Sequence, residues 1–373
     1  MRNGRATTAA IATVSALALV TACSSSNEDD TPAGEGGTSG SSAASDLSGT
    51  LSGVGSSAQQ AAQQAWQAAF LAEHPDVTLN YDPAGSGAGR EQFLAGGEVA
   101  FAGSDAYLSD AELTEAAGRC GEGEVVELPV YVSPIAVVYH LPGVEELNLS
   151  PATLARIFDQ KITNWNDEAI AADNPGVELP DLPITPVNRS DKSGTTENFT
   201  DYLAQSAPED WPYEPGDEWP VSGGEGADGT SGVIQAVTGG EGTIGYADAS
   251  QAGDLGTARI KVGDEYTAYS AEAAAAVLEV SQRAEGRGTY DFAFDLARDT
   301  TEAGTYPIVL VSYVIGCTQY PDPATTALVQ GYFGYLISEE GQQAAAEAAG
   351  SAPLSEALRQ QLQPAVDAIG AAH

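Results

Sequence analysis

The chain has 373 residues, of which 53 are Asp or Glu and 14 are Lys or Arg, and its formal net charge is -39. Because proteins that bind nucleic acid neutralise its phosphates with Lys and Arg, this charge balance argues against nucleic acid as a partner. The length and the 42% hydrophobic content allow a substantial core and favour two lobes over one.

The start of the chain is typical of an exported protein that stays attached to a membrane. Two arginines precede an apolar run over residues 9–20, which is too short to span a bilayer comfortably and predicts a signal peptide at residues 1–22. The run ends in "LVTAC", which resembles the lipobox of bacterial lipoproteins and implies that Cys23 is lipidated. A buried or disulfide-bonded Cys23 is the alternative. The Ser/Gly-rich segment over residues 23–46 cannot bury enough apolar surface to fold, which predicts a disordered tether.

Two junctions of strand, loop and helix follow the tether. In the first, "GTLSGVGSSAQQ" leads from a strand into a helix with Ser57 at or near its N-cap, and this helix ends at the pair His74-Pro75. In the second, an alternating strand over residues 77–81 runs into "AGSGAG", where Ser86 lies at the start of a short helix.

A third junction, "NRSDKSGTTENF", lies near the middle of the chain. It places Arg189 just ahead of small hydrogen-bond donors at a helix start, namely Ser193, Gly194 and Thr195. A helix start carries unpaired N–H groups and a partial positive charge, so each junction is a potential anion site, although capping alone explains any one of them. At the third junction Arg189 favours an anion site over simple capping, because a guanidinium matches a tetrahedral oxyanion. The alternative for Arg189 is a surface ion pair with Asp191 or Glu197.

Cys120 and Cys317 are the cysteines that remain if Cys23 is lipidated. In an exported protein two such thiols favour one disulfide between distant parts of the chain, and two free buried cysteines are the alternative. Neither has another cysteine or a histidine within a few residues, so the spacing fits no zinc motif. The sequence therefore predicts neither a metal site nor a cofactor.

The order of these motifs resembles the phosphate-binding proteins of bacterial phosphate ABC importers, over about residues 50–373. The most specific segments are "GVGSSAQ", "GSGAGREQF", "FAGSDAYLSD" and "NRSDKSGTT". In that family the corresponding positions bind one phosphate, which implies a ligand set of Ser57 with the Ala58 amide, Ser86, Asp105, Arg189, Ser193, Gly194 and Thr195. The sequence departs from the family pattern at Ser57-Ala58, where many members have Thr-Phe, and at Lys192, where a small residue is common. Lys192 either adds positive charge near the mouth of the site or points to solvent.

Alternating strand and helix signals predict α/β lobes, and the resemblance implies a two-lobed periplasmic-binding-protein-like fold with a ligand cleft and a hinge between the lobes. Lobe one is expected at residues 47–130 plus 308–373, and lobe two at residues 131–307. The implied protein is a monomer, lipid-anchored at the outer face of the cell membrane, that binds phosphate and a membrane permease. Residues 206–229 predict a loop, interpreted as a surface excursion; bordering the cleft or contacting the permease are the alternatives.

Asp105 is the unusual member of this ligand set because a carboxylate repels an anion unless a proton lies between them. Phosphate near neutral pH carries a P–OH that can donate to Asp105, whereas sulfate has no proton to donate. The resemblance therefore implies that Asp105 discriminates against sulfate by repulsion. The alternative is that Asp105 caps the short helix that begins near Leu108, or closes a turn.

The competing functional class is an exported phosphatase or another hydrolase of phosphate esters. The chain has 3 histidines and contains none of the patterns H-E-x-x-H, G-x-S-x-G or G-x-x-x-x-G-K-[ST], so no catalytic residue is predicted. A sensor or adhesion lipoprotein on the same fold would share the site and differ only in its partner.

Overall fold

The structure is a computed structural model that describes residues 47–371. The predicted signal peptide, Cys23 and the tether lie outside the described residues. Within residues 47–371 the strands, numbered along the chain, are β1 (Gly49–Gly55), β2 (Val77–Asp82), β3 (Phe101–Ser104), β4 (Val125–His140), β5 (Asn148–Leu149), β6 (Thr185–Arg189), β7 (Glu225–Ala227), β8 (Thr243–Asp248), β9 (Gly256–Thr257), β10 (Arg259–Val262), β11 (Glu265–Thr267), β12 (Gln282–Arg283), β13 (Phe294–Asp295) and β14 (Val309–Cys317). The helices are α1 (Gln60–Glu73), α2 (Ser86–Ala95), α3 (Asp110–Cys120), α4 (Pro151–Phe158), α5 (Glu168–Asp173), α6 (Gly194–Ser206), α7 (Gly229–Gly239), α8 (Ala271–Val280), α9 (Pro323–Ile337), α10 (Glu339–Ala349) and α11 (Glu356–Ala368).

One large sheet has the strand order β2-β1-β3-β14-β4-β8-β6-β7, and β9 pairs with β4 as well. The long strand β4 is antiparallel to β14 as far as Pro134 and antiparallel to β8 from Ile135 onward. We call β2-β1-β3-β14 with residues 125–134 of β4 the first half-sheet. The second half-sheet is residues 135–140 of β4 with β8-β6-β7. β4 can serve both because its residues 126–139 are all buried, as expected for a strand covered on both faces.

The helices and strands predicted around the first and third junctions form as the sequence pattern indicates. α1 runs from Gln60 to Glu73, directly before His74, and buries Trp66 and Phe70. α6 buries its predicted apolar face, namely Phe199, Tyr202 and Leu203. Among the helices of residues 47–371, none is both long and apolar enough to cross a membrane.

The structure contains the predicted disulfide. Cys120 at the end of α3 is bonded to Cys317 at the end of β14, with 5.4 Å between the Cα atoms and 197 residues between them in sequence. The bond joins elements that both belong to, or pack on, the first half-sheet, and it excludes the alternative of two free thiols. A bridge that closes so long a loop restricts the unfolded chain and so favours the folded state.

The long loop contributes to the core. Residues 207–224 form no helix or strand, as predicted, whereas residues 225–227 pair with β6 as β7. The interpretation of this loop as a surface excursion does not hold for its tryptophans, since Trp211 is only 2% exposed and Trp219 stacks on Tyr246 at 5.6 Å between ring centroids. Burial of these large rings ties the loop to the second half-sheet.

Candidate functional site

The candidate site lies where the carboxyl ends of β1, β3 and β6 meet the first turns of several helices. β1 and β3 belong to the first half-sheet and β6 to the second, and each leads into a loop that carries predicted site residues. These loops are in contact, since the Gly87 amide donates to the Lys192 carbonyl at 3.2 Å. Every predicted ligand residue is buried, and these are Ser57, Ala58, Ser86, Asp105, Arg189, Ser193, Gly194 and Thr195.

Asp105, directly after β3, accepts hydrogen bonds from hydroxyl groups of different elements. Ser56 and Ser312 donate to its Oδ1 at 2.5 Å and 2.6 Å. Thr195, in the first turn of α6, donates to Oδ2 at 3.0 Å. Asp105 is therefore a buried acceptor at the contact between the two half-sheets.

The alternative role of Asp105 as a helix cap is excluded. α3 has Ser109 as its N-cap, whose hydroxyl accepts from the Glu112 amide while the Glu112 carboxylate accepts from the Ser109 amide. This reciprocal arrangement is a complete capping box, which leaves no capping task for Asp105.

Gly194 lies where the start of α6 closely approaches the loops of the first half-sheet. A Cβ at this position would lie 2.8 Å from Ser86 Oγ and 2.9 Å from the Ala106 amide nitrogen, so any other residue would push the loops apart. Ser86 Oγ in turn accepts from the Asp105 amide at 3.1 Å. The absent side chain of Gly194 thus allows the helix start and the acceptor to share one site.

Arg189 forms an ion pair with Asp191, one of the two partners that the sequence alternative offered. The pair is buried, whereas that alternative placed it at the surface. The Arg189 side chain is 2% exposed, and its Nε donates to Asp191 Oδ1 at 2.7 Å while Nη2 contacts Oδ2. Burial acts to raise the pKa of Asp191, but the hydrogen bonds and charge of Arg189 outweigh it and hold that pKa below its usual value. Asp191 occupies one edge of the guanidinium and thereby sets its orientation.

Neither Ser56 nor Ser57 is the N-cap of α1, which is Gln59 and has no side-chain cap hydrogen bond. Ser56 Oγ accepts from the amides of Ala58 and Gln59 at 3.1 Å and 3.2 Å. Ser57 Oγ lies 3.0 Å from Thr230 Oγ1 and accepts from the Thr230 amide at 3.1 Å, so it contacts the start of α7 on the second half-sheet. Ser57 therefore lies near the N-cap, two residues before it, but its hydroxyl caps no amide of α1 because it faces the opposite half-sheet.

Ser193 is the N-cap of α6, as the capping explanation for this junction requires. Its hydroxyl accepts from the Thr196 amide at 3.1 Å, and its own amide donates to the Asp217 carbonyl at 2.8 Å. A hydroxyl that accepts at a cap still has a proton to donate, so capping and ligand binding are compatible for Ser193.

Tyr246, on β8, joins the two parts of the third junction. Its hydroxyl accepts from the Arg189 amide at 3.2 Å and lies 2.7 Å from Thr196 Oγ1. Burial raises the pKa of Tyr246 to about 12, so the phenol keeps its proton and can bridge both groups. The end of β6 and the start of α6 are thereby held at a fixed spacing.

Lys192 and Arg90 make ion pairs between loops at the rim of the site. Lys192 is 45% exposed and its Nζ lies 2.5 Å from Glu91 on α2, so the lysine pairs with a surface carboxylate. Arg90, also on α2, is buried and contacts Asp217 of the long loop at 3.0 Å. Both pairs connect the first half-sheet to segments that pack on the second.

Two carboxyl groups near the site have raised pKa values because they are buried. Burial raises the pKa of Glu197, in the first turn of α6, to about 7. Burial raises the pKa of Asp248 to about 6, although Tyr131 and Ser250 donate to its Oδ1 at 3.0 Å and 2.5 Å. Within residues 47–371, no donor reaches the buried Asp248 Oδ2. In the same range no cluster of three or more His, Cys, Asp or Glu is placed to hold a metal ion.

Sequence reasoning missed Ser56, Ser312, Thr230 and Tyr246. "GADGTSG" over residues 226–232 is a further strand-loop-helix junction with small donors and could have been found in the same way as the other three. Ser312 lies inside the apolar strand β14, where no local pattern marks it.

The assembled groups suit a particular ligand chemistry. A buried guanidinium and the donors of several helix starts favour an oxyanion, and a buried carboxylate among them requires that the oxyanion carry a proton.

Comparison with known proteins agrees with this chemistry. The family model of the PBP superfamily domain matches residues 39–340. "Phosphate-binding protein PstS 2" of Mycobacterium tuberculosis is 35% identical over 373 residues, 97% of this chain and 98% of that protein. "Phosphate-binding protein PstS 3" of Mycobacterium leprae is 37% identical over 309 residues, 81% of this chain and 82% of that protein. The chain belongs to the PstS family of phosphate-binding proteins.

Solved structures support the fold of this PstS-family chain. A high-affinity periplasmic phosphate-binding protein (PfluDING), solved with phosphate bound, aligns with a TM-score of 0.69 at 22% identity, covering 85% of this chain and 93% of that one. A putative phosphate ABC transporter substrate-binding protein from Clostridium perfringens aligns with a TM-score of 0.58 at 19% identity, covering 81% and 98%. The predicted α/β fold with two lobes of the periplasmic-binding-protein type is confirmed.

Proposed function

We propose that this chain binds inorganic phosphate outside the cytoplasm and delivers it to the membrane permease of an ABC importer. The observation that carries the proposal is a buried site in which Asp105 accepts from Thr195 at the start of α6, while the buried Arg189 guanidinium lies beside Gly85 at the start of α2. The relatives at 35% and 37% identity are named phosphate-binding proteins, and none of these names describes an enzyme. We accordingly propose binding without catalysis.

In this proposal each predicted residue has one task. Arg189 supplies the positive charge, and the hydroxyls of Ser57, Ser86, Ser193 and Thr195 donate to phosphate oxygens together with the amides of Ala58 and Gly194. Asp105 accepts the proton of a P–OH group, which sulfate does not have at neutral pH. The hydroxyl of Ser57 now contacts Thr230, and that of Thr195 donates to Asp105. On binding, each hydroxyl either leaves this partner for a phosphate oxygen or contacts both.

We further propose that the site opens by a hinge between lobe one, residues 47–130 plus 308–373, and lobe two, residues 131–307. This division is supported by β4, which pairs with β14 as far as Pro134 and with β8 from Ile135 onward, and by β14, which begins at Val309. The contact between Ser57 and Thr230 and the pair Arg90–Asp217 span these lobes, so opening must break them.

The proposal for the start of the chain rests on sequence alone. Residues 1–22 are removed, Cys23 carries the lipid, and residues 23–46 tether a monomeric binding domain to the outer face of the membrane. A tether keeps the loaded domain close to the permease, which raises its effective concentration there.

Isothermal titration of the chain from residue 24 onward, with phosphate and separately with sulfate, tests the function. We expect tight, one-to-one binding of phosphate and no heat from sulfate at large excess. Incubation with a chromogenic phosphate monoester should release no product. Saturable hydrolysis of the monoester, or equal affinity for both anions, would overturn the proposal.

A further inference from the structure

A line of buried side-chain hydrogen bonds runs from helix α9 to Asp105. Tyr332 Oη donates to Gln63 Oε1 at 2.7 Å, and Gln63 Nε2 donates to Gln59 Oε1 at 2.8 Å. Gln59 Nε2 donates to Ser312 Oγ at 2.6 Å, and Ser312 Oγ donates to Asp105 Oδ1 at 2.6 Å. We call Tyr332, Gln63, Gln59 and Ser312 the relay; every member is at most 1% exposed.

The direction of the relay is set by a backbone carbonyl. Gln59 Nε2 also donates to the Tyr313 carbonyl at 3.0 Å, and a carbonyl can only accept, so the amide of Gln59 has one orientation. Its Nε2 must then donate to Ser312 Oγ. Because the Ser312 oxygen accepts from Gln59, the Ser312 proton is directed to Asp105.

Ser56 is directed to the same carboxylate oxygen for a similar reason. Its Oγ accepts from the amides of Ala58 and Gln59, so its proton is left for Asp105 Oδ1 at 2.5 Å. Asp105 Oδ1 therefore faces two hydroxyl protons whose donors cannot turn away. An oxygen with two such donors has no remaining site for a proton from a ligand.

The other oxygen of Asp105 has a different environment. Oδ2 accepts from Thr195 Oγ1 at 3.0 Å, and Thr195 lies across the contact between the half-sheets. A carboxylate oxygen accepts two hydrogen bonds, so Oδ2 retains one acceptor position beside Thr195.

We propose that Ser312, oriented by Gln59, is a specificity-determining positioning residue for phosphate. It fills Oδ1, so that Asp105 meets the ligand only through Oδ2 and only as an acceptor. Without Ser312, one of the donors that fix the carboxylate is lost, so Asp105 can rotate away from the ligand and its repulsion of sulfate weakens. This inference rests on the proposed phosphate function and on Asp105 as the acceptor of its P–OH.

The test measures the ratio of sulfate to phosphate dissociation constants by competition calorimetry on the chain from residue 24 onward. Ser312→Ala should lower this ratio about tenfold, since a hydrogen bond to a charged group is lost. Ser312→Thr keeps a hydroxyl and should restore most of the ratio. Ser133→Ala is the matched control, because Ser133 is also a buried serine on the neighbouring strand β4, and its hydroxyl interacts with the Pro134 carbonyl, Tyr131 and Asp248 instead of Asp105.

A mutant cycle separates action through Asp105 from a general loss of structure. In an Asp105→Asn background, Ser312→Ala should change the ratio by less than about twofold, because no carboxylate remains to be positioned. Should Ser312→Ala fail to fold, Gln59→Met keeps the side-chain volume, removes the donor to Ser312, and should lower the ratio about threefold. An unchanged ratio in Ser312→Ala or in Gln59→Met, or an equal drop in both backgrounds, would overturn the inference.

These outcomes differ from failure of the proposed function. If the unmutated chain does not bind phosphate, or if Asp105→Asn has the ratio of the unmutated chain, then the function or the role of Asp105 is wrong before Ser312 is considered. The inference about the relay alone is refuted if the ratio of dissociation constants is high in the unmutated chain, falls in Asp105→Asn and does not fall in Ser312→Ala.

Discussion

Replacing Arg189 with alanine should weaken phosphate binding more than any other single change at the rim or in the helix starts. The Arg189 side chain is 2% exposed and pairs with Asp191, whose side chain is 13% exposed. Truncating one member of a buried charge pair costs about 2–5 kcal/mol, or about 30- to 5,000-fold in affinity. The loss should lie in the upper part of this range, because Asp191 then remains as an unpaired negative charge beside the anion.

Isothermal titration of Arg189→Ala, Lys192→Ala and the double variant Arg189→Ala/Asp191→Ala measures this effect. Lys192 is the matched control, since it is the neighbouring cation but is 45% exposed and pairs with an exposed Glu91. Its removal should change affinity less than about threefold. The double variant should bind more tightly than Arg189→Ala alone because the repulsive carboxylate is gone. Weaker binding by Lys192→Ala than by Arg189→Ala would show that the anion lies elsewhere.

Three further predictions concern stability, pH and anchoring. Replacing Cys120 and Cys317 with serine should lower the free energy of unfolding by about 2–4 kcal/mol in urea titrations, and an unchanged midpoint would contradict the stabilising role of the bridge. Asp248 has a folded-state pKa of about 6 against an ordinary 3.8, so the folded chain binds the extra proton and its stability should fall as pH rises between these values, relative to Asp248→Asn. The free energy of unfolding of the unmutated chain minus that of Asp248→Asn should therefore fall by about 3 kcal/mol across this window. Urea unfolding of both proteins measures this quantity, and a value that stays constant or rises with pH would refute the prediction. Cys23→Ser should release the protein from the membrane fraction without changing phosphate affinity, and firm membrane attachment of the variant would show that Cys23 is not the anchor.

Local sequence pattern determined much of the fold and the donor set. The helical spacing before His74, the alternation over residues 77–81 and the small residues at 193–195 predicted α1, β2 and the start of α6 correctly. Periodicity and capping act within a few residues, so they can be deduced without knowledge of distant contacts. The pairing of Cys120 with Cys317 followed from export and from the small number of cysteines, not from their spacing.

Only the tertiary structure decided between roles that the sequence left open. Ser56 and Ser57 are equivalent as sequence, but Ser56 faces Asp105 and Ser57 faces Thr230, 173 residues away from Ser57 along the chain. Whether Arg189 pairs at the surface or in the interior depends on how β6 packs, and the structure buries the pair with Asp191. Trp211 and Trp219 lie in a segment of loop composition and are nevertheless packed, since aromatic burial outweighs local propensity.

Ser312 shows this limit most clearly, because it is a single hydroxyl in a strand that is buried from end to end. Its proposed role depends on Gln59, 253 residues earlier in the chain, and on Asp105, 207 residues earlier. Propensity and periodicity describe neighbours in sequence, whereas the direction of a buried hydrogen bond depends on which donors and acceptors the fold brings together. The amino-acid sequence therefore predicted an anion site between helix starts, and the packing of β14 beside β3 and Gln59 decided which oxygen of Asp105 keeps an open acceptor position.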